Sequence, residues 1–75
     1  MKVTKGEYCQ FSLHGKMQLL NEFGELLGQK RFDNISTELY RLNDFYVEVL
    51  MNAKTKELVK VEPIKNIKQL QLYSE

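Results

Sequence analysis

The feature that most constrains this chain is a change of period at Glu25. Before it, Leu13, Met17 and Leu20, with Leu19 and Phe23 alongside, recur at helical spacing. After it, apolar and polar residues alternate in four short runs, near 26–32, 35–42, 45–51 and 58–62. The punctuators between the runs are brief: Asp33-Asn34, Asn43-Asp44 and the stretch 53–56. Links this short leave no room for parallel crossovers, so the strands are expected to form an antiparallel meander.

The helical stretch has its own boundaries. Ser12 is a good N-cap, and Gly24 stands where a left-handed C-cap would stop a helix. Residues 8–11 either extend this helix backwards or form a separate short strand. A second helix is expected over roughly 66–73, burying Ile67, Leu70 and Tyr73. The expected fold class is therefore α+β in the order α-β-β-β-β-α, with both helices on one face of the sheet.

Seventy-five residues are expected to make one domain, 1–75, with a core only just large enough to offset chain entropy. Apolar residues are 43% and charged residues 28%, which excludes a disordered tail or a fibrous repeat. The longest apolar runs are three residues, far short of the roughly 18 to 20 needed to span a bilayer. No membrane association is expected. Lys2, Lys5 and Glu7 interrupt the stretch where a secretory signal would need apolar residues, so the protein is expected to be soluble and cytoplasmic.

One cysteine, Cys9, fits a reducing compartment and forbids an intrachain disulfide. With one histidine, His14, the chain also falls short of the three or four protein ligands that zinc uses, and no cofactor is expected. Neither Cys9 nor His14 sits in a nucleophile signature, so a packed thiol and a partly exposed imidazole are the ordinary readings. Gly24 and Gly28 lack the strand-loop-helix context of a phosphate-binding turn. Nothing in the pattern points to an enzyme.

Cross-strand register follows from the separation of apolar and polar side chains, because a one-residue slip reverses every side chain. A three-residue loop at 42–44 sets Leu39 opposite Val47, Thr37 opposite Val49 and Ile35 opposite Met51. The next hairpin is expected to set Val49 against Val59 and Val47 against Val61, avoiding a Glu48–Glu62 pair of like charges. A turn at Asp33-Asn34 aligns Phe32 with Ile35 and Gly28 with Leu39. The core face is then Leu26, Phe32, Ile35, Leu39, Phe45, Val47, Val49, Met51, Val59 and Val61.

That register places Tyr40 opposite Tyr46 and Glu38 opposite Glu48 on the reverse face, with Leu27 beside Tyr40. Tyrosines suit protein contacts, so Leu27, Glu38, Tyr40, Tyr46 and Glu48 form the candidate partner-binding patch. The carboxylates alone are too few to hold a hard cation and are more simply a solvated charge lattice.

The first strand is the less protected edge of the meander and the better place for strand addition, by a second copy or a peptide. The expected function is a small non-catalytic module for protein interaction or self-association, through the sheet face or this edge. The alternative is weak nucleic-acid binding through Lys54, Lys56, Lys60, Lys65 and Lys68, with the tyrosines stacking on bases. A net charge of +1, and glutamates beside the tyrosines, make nucleic acid the poorer partner.

Overall fold

The computed structural model describes residues 3–65. Helix α1 spans Lys5–Tyr8 and helix α2 spans Leu13–Phe23. Four strands follow, β1 at Glu25–Phe32, β2 at Ile35–Leu42, β3 at Phe45–Asn52 and β4 at Leu58–Pro63. They form one antiparallel sheet in the order β1-β2-β3-β4, the expected meander. The helix expected over 66–73 lies outside the described residues.

Helix α2 starts and stops where its sequence dictates. The Ser12 hydroxyl accepts a hydrogen bond from the Gly15 amide at 3.1 Å, which satisfies one of the free donors of the first turn. Gly24 does end the helix, but in an extended conformation (φ −83°, ψ 161°) rather than a left-handed one. A glycine fits there for steric reasons: a Cβ would lie 2.8 Å from the Leu20 carbonyl oxygen, the atom that accepts the Gly24 amide.

The preceding residues form a separate short helix, neither an extension of α2 nor a strand. Thr4 and Glu7 make a reciprocal capping box, the Glu7 amide donating to the Thr4 hydroxyl and the Thr4 amide to the Glu7 carboxylate. The Thr4 amide, and secondarily the Thr4 hydroxyl, favour the ionised Glu7 carboxyl and lower its pKa from the ordinary value. The turn delivers Tyr8 into the interior, where its ring lies 5.7 Å from that of Phe45. Its hydroxyl donates to the Lys16 carbonyl at 2.8 Å, joining α1 to α2.

The first hairpin has the expected register, with Phe32 opposite Ile35 and Gly28 opposite Leu39. The other two differ. Leu42 pairs directly with Phe45 across a two-residue turn, so Tyr40 faces Val47, Glu38 faces Val49 and Leu39 faces Glu48. Asn43, at a left-handed φ of 57°, supplies the positive φ that tight hairpin turns require. Its side-chain amide also donates to the Val3 carbonyl at 2.9 Å. This register takes Leu42 out of the loop and buries it with Phe45 against Tyr8, a gain the three-residue loop would forfeit.

In the last hairpin Val49 pairs with Val61 and Glu48 with Glu62, the arrangement that charge had argued against. Lys60 resolves the conflict. It sits two residues before Glu62 on the same face and places its ammonium 3.9 Å from Glu48 and 3.8 Å from Glu62. The register shifts between Leu50 and Met51, pairing these with Lys60 and Leu58, so that Val59 falls at the irregularity and is exposed.

The core lies between the helices and one face of the sheet. Tyr8, Leu19 and Leu20 from the helices meet Leu42, Phe45, Val47, Val49 and Val61, with Tyr40 and Leu58 at the margin. Helix α2 lies mainly against β4 and to a lesser extent against β2. Of the expected core face, Phe45, Val47, Val49 and Val61 are buried here, whereas Leu26, Phe32, Ile35 and Val59 are exposed. Leu39 is buried, but on the opposite face.

Candidate functional site

The five residues expected to form a partner-binding patch do not share one surface. Tyr40 faces Val47 and Glu38 faces Val49 on the helix-covered side. Tyr46, opposite Arg41, and Glu48, opposite Leu39, lie on the other side. Leu27 falls at a β-bulge between Leu26 and Gly28, so that Leu26 is the residue opposite Tyr40.

Tyr40 is half-buried rather than displayed. Its hydroxyl donates to the Glu38 carboxylate at 3.2 Å. Burial, with the Glu38 charge and that hydrogen bond adding to it, raises the Tyr40 phenol above its ordinary value. The centre of the outer face is closed too, since Leu39 is 5% exposed and Glu48 9%. Neither tyrosine stands in a bare aromatic platform.

Of the lysines in the last third, Lys68 lies outside the described residues and the others are spread out as well. Lys54 and Lys56 occupy the β3–β4 turn, where the Asn52 side chain accepts the amides of Lys54 and Thr55. Lys60 is held by Glu48 and Glu62. Lys65 lies at the far end of β4, in a shallow cleft with Lys5, Cys9, Lys16, Glu62 and Pro63. Cys9 is exposed there, not packed as expected, and His14 is not among the cleft's described residues. Among the described residues no group of three or more His, Cys, Asp and Glu side chains could hold a metal ion. No helix among them is long and apolar enough to cross a membrane.

The two edges of the sheet are unlike. β4 ends at Pro63, which has no amide to offer. The Lys5 ammonium crosses to the Ile64 carbonyl at 3.3 Å just beyond it. At the other edge, seven of the eight residues of β1 are exposed. Leu26 is 50% exposed, Leu27 45% and Phe32 84%, with Ile35 exposed beside Phe32 and Phe23 just before the strand. These are the large apolar side chains that the main footprint of α2 leaves uncovered.

No family model, curated protein or solved structure matches the chain. The site therefore stands on its geometry. What that geometry offers is a strand with one row of backbone donors and acceptors turned away from β2, flanked by apolar side chains on both faces. The notion of a vulnerable first strand was legible from the sequence. The residues that mark it were not, because alternation places Leu26, Phe32 and Ile35 on the expected core face. Among the described residues, the 11-residue α2 leaves these positions uncovered, and the strand sequence alone does not show how far that helix reaches.

Proposed function

We propose that this protein is a non-catalytic interaction module that receives an extended segment of a partner protein along β1, as an added strand. The observation that carries this reading is the exposure of β1 at an open sheet edge with Leu26, Leu27 and Phe32 uncovered. Strand addition would use the free backbone groups for affinity and the side chains on alternate faces for specificity. Fully burying a leucine or phenylalanine contributes roughly 1.5–3 kcal/mol, so completing the burial of three half-covered or bare side chains is a substantial driving force.

The sheet-face form of the reading has less support, because Tyr40 and Tyr46 lie on different faces and the outer face is closed at Leu39 and Glu48. Nucleic-acid binding has less support too, since Lys60 is engaged by carboxylates and, among the described residues, Lys54 and Lys56 lie at one end of β4 and Lys65 at the other. Photo-crosslinking in cells tests the proposal, with the reactive group placed at Gln29 of β1 or at Lys54 of the β3–β4 turn. Protein adducts are expected from Gln29 and not from Lys54. Adducts from neither position, or equally from both, would contradict the proposal.

A further inference from the structure

We infer that the partner segment is acidic, and that the same charges which select it keep β1 from pairing with a second copy of the chain. This rests on the reading of β1 as a docking edge and names the chemistry of its occupant.

Beyond the bulge at Leu27, the regular part of β1 is the run 28–32, and Lys30 is its central residue. Lys30 lies on the outer face with Gly28 and Phe32, opposite Thr37, while Arg31 lies on the helix side, opposite Ser36. An added strand therefore meets a cation on each of its two faces. Among the described residues neither cation is ion-paired. The one carboxylate within the strand, Glu25, is taken by Arg41 at 2.6 Å, and Asp33 lies in the turn beyond the strand's end.

Two copies meeting edge to edge as antiparallel strands would be related by a two-fold axis, with each residue's partner fixed by the residue on that axis. Full overlap of the run 28–32 puts Lys30 on the axis and hence opposite Lys30 of the second copy. Moving the axis to Arg31 puts Arg31 opposite Arg31. Like charges directly opposite destabilise a sheet pair. Centring on Gln29 sets Lys30 opposite Gly28 and Arg31 opposite the bulge at Leu27, and centring on Gly28 brings Arg31 toward Glu25 of the other copy, which is already engaged, so in both the bulge falls inside the pairing and interrupts it. A strand carrying glutamate or aspartate at these positions meets none of these obstacles, and its apolar residues would cover Leu26 and Phe32.

The test uses two capped, fluorescently labelled eight-residue peptides, one alternating valine with glutamate and the other valine with lysine. Fluorescence anisotropy at low salt is expected to show the glutamate peptide binding the wild-type protein at least tenfold more tightly. The exposed-site double variant Lys30→Glu, Arg31→Glu, with its fold checked by circular dichroism, is expected to reverse that preference, while wild type sediments as a monomer. Equal binding of both peptides would leave strand addition standing and overturn the charge selection. Dimerisation of wild type that the double variant abolishes would overturn it as well. Failure of both peptides to bind either protein would overturn the inference together with the docking edge it rests on.

Discussion

The Tyr8 side chain ties three elements together, with its ring against Phe45 of β3 and its hydroxyl on the Lys16 carbonyl of α2. Burial raises its phenol well above the ordinary value, and the neighbouring Cys9 adds to the rise. In the unfolded chain a tyrosine ionises near about pH 10. As pH rises past that value the unfolded state sheds its proton while the folded state keeps it, so stability falls. Tyr8→Phe keeps the ring and removes the hydroxyl. Urea unfolding is expected to show a loss of about 1 kcal/mol at pH 7, the net worth of the hydrogen bond. Wild type is expected to lose that advantage progressively above about pH 10. An advantage that stays constant into alkaline solution would contradict a buried, raised phenol. The sequence did hold the signal for this residue, in the Thr4-Lys5-Gly6-Glu7 capping box, yet a four-residue helix carries no periodicity to draw attention to it.

Elements were more legible than their pairing. Helix α2 could be placed because Ser12, the 3.6-residue spacing of Leu13, Met17 and Leu20, and Gly24 all agree, and agreement across levels is what specifies an element. The conformation of Gly24 was not readable, since contact with the Leu20 carbonyl rather than backbone handedness is what excludes a side chain there. Gly24→Ala is accordingly expected to destabilise the protein by about 1–3 kcal/mol, the usual cost of forcing backbone to shift in a packed site. A chemical melt reads this directly, and a neutral result would contradict the close approach. Register failed for two reasons. Glu48 and Glu62 were weighed as an isolated like-charge pair, although Lys60 sits where it can neutralise both. A three-residue loop would leave Leu42 outside the core, whereas an apolar residue beside an Asn-Asp turn is better used inside it, where Leu42 is buried.

Across the molecule as a whole, the helices among the described residues are too small to cover the four-stranded sheet. Helix α2 and the Tyr8 turn close over β3, β4 and the end of β2, and β1 is left as an exposed edge. The apolar residues Leu26, Leu27 and Phe32 were visible in the sequence, but their presence does not say whether a helix or a partner covers them. Docking along β1 requires this edge to be vacant in the isolated protein. Amide hydrogen exchange, measured residue by residue at several protein concentrations, tests it most directly. The outward-facing amides of β1 are expected to exchange fastest of the strand amides, at a rate independent of concentration, while those of β3 are the most protected. Protection of β1 equal to that of β3, already present at the lowest concentration or growing as concentration rises, would contradict a vacant edge.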